Sequence, residues 1–446
     1  MTTRTRDTIV AIATPPGRGG VGIIRISGPQ ARGFGTAVTG QTLPERKAIY
    51  AYFKSVAERP ENPQIIDTGL AIYFAAPRSF TGEDVVELHG HGGPVIQDLL
   101  LSEIIALGAR QARAGEFSER AFLNDKIDLT QAEAIADLID SSTVQAARGA
   151  MRSLQGEFSN KINDLLKELI HLRMYVEAAI DFPEEEIDFL ADQKIHDSIQ
   201  SLRDHLDATI HQAGQGAILR NGLRVVLAGK PNAGKSSLLN ALSGFDAAIV
   251  TDIPGTTRDA VTQTIDIDGL PVHVIDTAGL RESDDTVEKI GIARAREAMD
   301  RADHILYLLD ASNLTADDLN FDTNDTKTSV VYNKVDLLDA PQGLAGIKIS
   351  ATRGDGMDSL INHIKSLAGF EPAGETLFTA RRRHLTALTA ARDAVQNGLE
   401  QLKINNAGEL LAEELLQAQN YLNEITGEYS ADDLLGEIFA GFCIGK

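Results

Sequence analysis

The octapeptide GKPNAGKS, Gly229 to Ser236, has the spacing G-x-x-x-x-G-K-[ST]. Those residue types suit one task. Glycines let backbone N–H groups wrap phosphate oxygens, a lysine reaches the β/γ-phosphates, and a hydroxyl coordinates Mg²⁺. Lys235 and Ser236 are the lysine and the hydroxyl, flanked by Asn232, Ala233, Gly234 and Ser237. The run follows the apolar stretch LRVVLAG and opens SSLLNALSG, so a strand must lead into the loop and a helix must leave it. Three further boxes follow in order, each at the end of an apolar run: Asp276-Thr277-Ala278-Gly279, Asn333-Lys334-Val335-Asp336 and Ser350-Ala351-Thr352. Asp276 is placed to hold Mg²⁺ through water, and the Gly279 N–H to sense a γ-phosphate. The Asp336 carboxylate suits the N1–H and 2-amino donors of guanine, which adenine lacks, and backbone N–H groups of Ser350 to Thr352 suit guanine O6. Thr257, in GTTRD, is the expected switch threonine closing on Mg²⁺. Four boxes in this order define an expected GTP-binding domain, with Thr251, Asp252, Ile253, Thr256 and Lys334 completing its nucleotide-binding set.

One position breaks the usual chemistry. In VIDTAGLRE the residue after the glycine is Leu280, where Ras-like enzymes carry a water-orienting glutamine. Hydrolysis then needs another source of positive charge and another water-positioner. Asn232 is placed to bind a monovalent cation between the phosphates, and TDIPGTT is rich in carbonyls and hydroxyls that suit a K⁺ shell. The run RESDDTVEKIG supplies Glu282, Asp284, Asp285 and Glu288, one of which can orient water; a solvated acidic segment is the plainer reading.

The elements that must position these boxes are legible. Residues 1–124 mix short apolar runs with Gly/Pro turns and read as an α+β domain. Residues 125–217 show helical periodicity. Residues 218–372 alternate strands and helices around a hairpin at Asp268-Gly269, giving a mainly parallel sheet. Residues 373–446 return to helical periodicity, so the expected architecture is one helical domain built from two chain segments with the GTPase domain inserted between them. The polar stretch TADDLNFDTNDTKT replaces or shortens one helix of that inserted domain.

Composition narrows the function classes. Of 446 residues 43% are hydrophobic and 24% charged, ordinary soluble values. No apolar run is long enough for a membrane span, and the first twenty or so residues lack a secretory core. A single cysteine, Cys443, fits a reducing, cytoplasmic setting. A net charge of −22 argues against general nucleic-acid binding, so any RNA contact needs a local patch or a partner. The three arginines Arg381 to Arg383 are one such patch, or a solvated helix start. The ten histidines show no metal-ligand spacing.

The whole chain resembles the MnmE/TrmE family, the GTPases of tRNA wobble-uridine modification. The likeness is carried by ATPPGRGGVGIIRIS, SFTGEDVVELHGHGG, GEFSERAFLNDKIDLTQAEAIADLI, the GTPase boxes and the terminal FCIGK. The resemblance implies a K⁺-binding GTPase that dimerises through its G domains. It implies K⁺ ligands at Asn232, Thr251, Ile253 and Thr256, Mg²⁺ on Ser236 and Thr257, and a catalytic Glu288 acting with Lys235. It implies that the N-terminal domain is a tetrahydrofolate-binding-like fold which forms a constitutive homodimer. A formyl-tetrahydrofolate analogue of the one-carbon donor would be met by Arg25, Glu87, Lys126 and Lys446. Without that likeness, Arg25 reads as a strand-end surface arginine and Glu87 as a strand carboxylate in an ordinary ion pair. Cys443 is either a packed structural cysteine or part of the modification site. The implied function is addition of an aminomethyl or carboxymethylaminomethyl group at C5 of the tRNA wobble uridine, with an MnmG/GidA-type FAD protein as partner. The alternatives are a ribosome-assembly GTPase of the Era/Der kind and a nucleotide-switched scaffold.

Overall fold

The structure is a computed structural model that describes residues 7–57, 60–181, 193–244, 262–276, 299–315, 326–338, 344–371, 378–405, 407–428, 432–442 and 445. The chain divides into two compact units, residues 1–136 with 426–446, and residues 137–425.

The first unit is built on a six-stranded sheet in the order β3-β4-β5-β2-β1-β6. Its strands are β1 (Ile9–Ile12), β2 (Gly19–Ser27), β3 (Ile49–Ser55), β4 (Gln64–Phe74), β5 (Val85–Gly92) and β6 (Arg110–Gln111). All neighbours pair antiparallel except β1 with β6. The period-2 alternation of strands decides what faces inward. Ile24, Ile26, Val86 and Leu88 enter a core shared with Val38, Leu100 and Ile104 of the helices Ala31–Thr39 and Pro94–Ala106. Arg25 and Glu87 alternate to the opposite face, paired in register.

The second unit holds a helical core and a sheet core. The helical core joins Ile162, Leu169 and Val176 of the helix Glu157–Asp181 with Ile199 and Leu206 of the helix Gln193–Asn221. Leu388 and Val395 of the helix Arg382–Asn405 and Leu415 and Leu422 of the helix Gly408–Thr426 complete it. Helices from before and after the inserted sheet thus share one core, with Phe158 stacked on Phe378 at 4.6 Å. The second sheet runs β12-β11-β10-β7-β9-β8, from β7 (Leu223–Gly229), β8 (Thr262–Ile267), β9 (Leu270–Asp276), β10 (His304–Asp310), β11 (Thr328–Asn333) and β12 (Ile347–Lys348). It is parallel except for the β8–β9 hairpin. That hairpin closes through two residues with positive φ, Asp268 at 50° and Gly269 at 92°, the geometry whose twist matches its strands.

The last segment, which the sequence expectation places in the second helical half, residues 373–446, packs on the first sheet's unit at its end. Residues 426–446 cluster with that unit. Phe439, in the helix Asp432–Ala440, and Phe442, just past its end, bury against Leu129 and Ala132. Gly427 makes the break: its φ is +90°, and a Cβ there would lie 2.8 Å from Phe122. Helical periodicity reports that a face is apolar, not which core receives it. The stretches 182–192, holding most of the DFPEEEIDFL run, and 316–325, holding most of the polar replacement stretch, lie outside the described residues.

His273 on β9 gives the second sheet a pH dependence. Its Nε2 lies 3.2 Å from the Asn221 carbonyl and its Nδ1 2.9 Å from Thr264 Oγ1, a pairing that suits the neutral ring. Burial pushes its pKa below the usual 6.5. The unfolded chain therefore takes up a proton before the folded one does, and stability falls as pH drops below about 6.5. Urea midpoints between pH 8 and 5 should show this decline, and His273→Gln should flatten it.

Candidate functional site

In a parallel sheet, ligands bind beyond the carboxyl ends of the strands. The sequence boxes gather at that edge. Gly229 ends β7, Asp276 ends β9 and Asn333 ends β11. Gly229 lies opposite Leu308 of β10, Asp276 opposite Leu227 of β7, and Asn333 opposite Asp310. The loop after β7 turns through left-handed conformations at Asn232 (φ 66°) and Gly234 (φ 95°) before the helix Lys235–Gly244 begins. Ala233 and Leu238 of this turn and helix sit in the sheet core, which anchors the loop.

Asn333 ties the boxes together. It is 2% exposed, and each end of its amide is used. Its Nδ2 donates to the Ala233 carbonyl at 2.9 Å. Its Oδ1 accepts from Lys334 N at 2.9 Å and from Ala351 N at 3.1 Å. One side chain thus joins the phosphate-type loop, the Asn-Lys-Val-Asp box and the Ser-Ala-Thr box. Gly234 makes room for it, since a Cβ there would lie 2.2 Å from Asn333 Nδ2. The sequence reading gave Asn333 to the nucleotide and missed this tie; the signal was an amide, rather than an acid, at the buried end of a strand. The Ala351 N–H, expected on guanine O6, is held by Asn333 here.

Lys235 folds over its own loop, donating to the carbonyls of Gly229 at 2.9 Å and Lys230 at 3.1 Å. Lys334 adopts a left-handed conformation and pairs with Asp310 Oδ2 at 2.6 Å. Burial raises the Asp310 carboxyl, but the Lys334 ammonium and the Ser312 hydroxyl outweigh it and hold the group below the usual range. Asp336 makes one long contact, to Arg353 Nε at 3.5 Å, while its Oδ1 is buried with no hydrogen-bond partner among the described residues. A buried, unsatisfied carboxylate oxygen is costly to keep. Here it sits where a base carrying N–H donors would satisfy it, so the residues present fit a guanine nucleotide. Ser350 Oγ accepts from Arg353 N at 3.2 Å, which turns this last loop back on itself.

Several expected residues fall outside the described set: Thr251, Asp252, Ile253, Thr256, Thr257, Thr277, Ala278, Gly279, Leu280, Glu288, Cys443 and Lys446. Of the K⁺ and Mg²⁺ candidates, Asn232 and Ser236 are described, at the loop and at the helix start.

On the first unit, Arg25 Nε meets Glu87 Oε1 at 2.9 Å and His89 Nε2 meets Glu87 Oε2 at 3.0 Å. Arg25 Nη1 also donates to the Gly445 carbonyl at 3.2 Å, so the terminal segment is fastened beside this pair. The segment runs close over β1, since a Cβ on Gly445 would lie 2.3 Å from the Ile12 carbonyl. Arg25 lies 5.9 Å from the Phe80 ring and 5.8 Å from the Phe117 ring. Burial pushes Glu87 up, but the bonds from His89 and Arg25 outweigh it and keep it a carboxylate well below its usual range. Lys126 is exposed, its stem 3.3 Å from where a Gly82 Cβ would stand, in the loop that carries Phe80. Arg25 and Glu87 form an ion pair with each other, a pairing the sequence reading did not announce. It also carries a histidine and a terminal carbonyl that no spacing in the sequence announced. The basic run is largely spent internally: Arg381 pairs with Asp137 at 2.7 Å, and Arg383 donates to the Glu424 and Ile425 carbonyls at a helix end.

A glycine loop between strand and helix, with a buried carboxylate oxygen of Asp336 open to a base on the same sheet edge, defines the second sheet as a phosphate-loop GTP-binding domain. Residues 8–126 match the family model described as the GTP-binding protein TrmE N-terminus, and residues 129–443 match the MnmE helical domain. The chain is 55% identical over 457 residues to the tRNA modification GTPase MnmE of Vibrio vulnificus (strain CMCP6), covering 99% of this chain and 100% of that one. It is 54% identical over 457 residues to the protein of the same name from Pseudomonas fluorescens (strain Pf0-1), covering 99% of each. Among solved structures, the G domain of the T. maritima FeoB iron transporter matches 33% of this chain and 98% of its own, at 25% identity and a TM-score of 0.24. The chain belongs to the MnmE/TrmE family of GTPases, and it is a GTP hydrolase.

Two substitutions test the site. Asp336→Ala removes the acceptor for two charge-assisted hydrogen bonds worth about 1.5–3 kcal/mol each, so GTP affinity should fall roughly 10²–10⁴-fold in a fluorescent-nucleotide titration. Gly234→Ala should weaken nucleotide binding as severely as Asn333→Ala in the same titration, because its Cβ displaces the Asn333 amide.

Proposed function

We propose that this protein is a K⁺-dependent, Mg²⁺-dependent GTPase that acts on tRNA. With an MnmG/GidA-type FAD protein, it would add an aminomethyl or carboxymethylaminomethyl group at C5 of the wobble uridine. The one-carbon unit would come from methylene-tetrahydrofolate. The observation that carries this reading is likeness along the whole chain: relatives that are tRNA modification GTPases align over 99% of it, with N-terminal, GTPase and helical parts together. A lone GTPase domain would not account for that. No helix among the described residues is long and apolar enough to cross a membrane, which is compatible with a cytoplasmic homodimer.

In this reading the inserted domain, residues 218–372, performs hydrolysis. Lys235 exchanges the carbonyls of Gly229 and Lys230 for phosphate oxygens, and Asp336 meets the guanine donor edge. Ser236 and Thr257 would hold Mg²⁺, and Asn232, Thr251, Ile253 and Thr256 would hold K⁺. Both ions supply positive charge against the phosphate oxygens. Glu288 orients the attacking water, the role that Leu280 cannot fill. On the first unit, Arg25 and Glu87 form a carboxylate–guanidinium pair at 2.9 Å. It fits the amide edge and carboxylates of a folate carrier, to which we also assign Lys126 and Lys446. Closing and opening of paired G domains would couple hydrolysis to the modification.

Steady-state GTP hydrolysis in KCl and in NaCl at equal ionic strength tests this reading. K⁺ should stimulate turnover strongly, and Glu288→Ala should bind GTP normally yet lose about 10²–10⁴-fold in turnover. Equal rates in the two salts would remove the Asn232 cation site and return the ribosome-assembly and scaffold readings.

A further inference from the structure

One threonine joins the hairpin of the GTPase sheet to the helices beside it. Thr143 is 4% exposed and precedes the helix Val144–Leu154. Its Oγ1 accepts from the Ala146 N–H at 3.1 Å, which caps that helix. The same hydroxyl donates to the Gly269 carbonyl at 3.1 Å, at the turn between β8 and β9. A helix cap needs only the lone pair. The proton is spent on a residue 126 positions away.

Both ends of this bond are firmly mounted. At the turn, Asp266 Oδ1 accepts from the Gly269 N–H at 2.6 Å, and Asp268 pairs with Lys365 of the helix Met357–Ala368. The Gly269 φ of 92° favours glycine, and a Cβ there would lie 2.5 Å from Gln145 Cγ, so the helix start packs directly on the turn. On the other side, the helix Val144–Leu154 buries Ala146, Gly149, Ala150 and Ser153. Ser153 Oγ donates to the Thr379 carbonyl at 3.1 Å and accepts from the Thr379 N–H at 3.0 Å. Thr379 follows Phe378, which stacks on Phe158 in the helical core. One helix of 11 residues, about 16 Å long, thus spans from the hairpin turn to that core.

β9 connects the turn to the nucleotide edge. It runs from Leu270 to Asp276, about 20 Å. It pairs with β7 from Val272 opposite Leu223 to Asp276 opposite Leu227, and β7 leads into the phosphate-type loop. Leu270, Val272 and Val274 are buried in the sheet core, so a packed strand of this kind shifts as a unit. The other ties between sheet and helices differ in kind. The helix Gln193–Asn221 runs into β7 through Gly222, with the Asn221 carbonyl 3.2 Å from His273 Nε2. The Gln215 amide donates to the Gly369 carbonyl at 2.9 Å and accepts from the Glu371 N–H at 3.0 Å. These anchor the chain where it enters and leaves the GTPase sheet. Thr143 instead grips the hairpin turn, at the opposite end of β9 from Asp276, through one neutral hydrogen bond. A bond of that kind contributes modestly, so it follows or releases a shifting partner at little cost.

We propose that Thr143 is a positioning residue that carries the nucleotide state of the GTPase sheet into the helical core. When a γ-phosphate is gained or lost at the Asp276 end, β9 shifts along its length and the turn moves with it. The Thr143–Gly269 bond passes the shift to the helix Val144–Leu154, and Ser153 passes it to Thr379 and the core. This deepens the reading above, in which hydrolysis is coupled to the modification.

The test uses the full chain in KCl, with GDP alone and with GDP plus aluminium fluoride, which stands in for the hydrolysing phosphate. Hydrogen exchange is read over residues 144–154, beside melting temperature, GTP turnover and, with the flavoprotein partner, modification turnover. Thr143→Ser keeps both hydrogen bonds. Thr143→Asp keeps the helix cap but has no proton for Gly269. In wild type and Thr143→Ser, exchange over 144–154 should differ between the two nucleotide states by about 10-fold, and in Thr143→Asp that difference should vanish. GTP turnover of Thr143→Asp should stay within about twofold of wild type, while its modification kcat falls about 5–100-fold at unchanged KM. A merely structural threonine would raise exchange equally in both nucleotide states and leave their difference intact. A difference that persists in Thr143→Asp, or that is missing in wild type, overturns the proposal. If Thr143→Asp melts early, Thr143→Val, which keeps the shape and loses both bonds, is read for the same difference. A wild type that hydrolyses GTP but modifies no tRNA removes the reading above and leaves the exchange difference to decide this one.

Discussion

The nucleotide edge depends on one buried amide. Asn333 holds the Ala233 carbonyl with its nitrogen and the Lys334 and Ala351 N–H groups with its oxygen. These three segments are about a hundred residues apart at the extremes and share no sheet pairing at these points. A carboxylate at this position could not donate to Ala233, and an apolar residue would leave three backbone groups buried without partners. Because both ends of the amide are engaged, the loop that would wrap phosphates and the loop that would read a base are set in one geometry before any ligand arrives. Gly234 belongs to the same constraint, since the space it leaves is filled by the Asn333 amide.

Around that tie the electrostatics are poised rather than satisfied. Lys235 is parked on loop carbonyls, a neutral partner that a phosphate would outcompete. Asp336 keeps one buried oxygen without a partner among the described residues. Lys334, by contrast, is committed to Asp310, which stiffens the box that carries Asp336. The contrast separates the residues that support the edge from those that would meet a ligand.

The first unit uses the same economy of glycine and buried carboxylate. Glu87 is held by Arg25 and His89, and Asp67 holds His91, all on or beside one strand. The terminal segment is drawn onto this unit by Phe439 and Phe442 and fastened by Arg25 at Gly445. Chain ends distant in sequence therefore furnish one surface, because aromatic burial draws the terminal segment onto this unit.

The sequence by itself determined the GTPase domain, its four boxes, the hairpin at Asp268-Gly269 and the helical flanks. These rest on local rules: motif spacing, two-residue turn chemistry and the 3.6-residue period. Tertiary structure alone decided which core the last twenty residues join, that the Ala351 N–H is engaged by Asn333, and that Asp67 grips His91. Periodicity says that a face is apolar and spacing says that a motif is present. Neither says which distant partner fills a glycine's empty space or takes up a buried donor, because those are contacts between segments that local sequence does not relate.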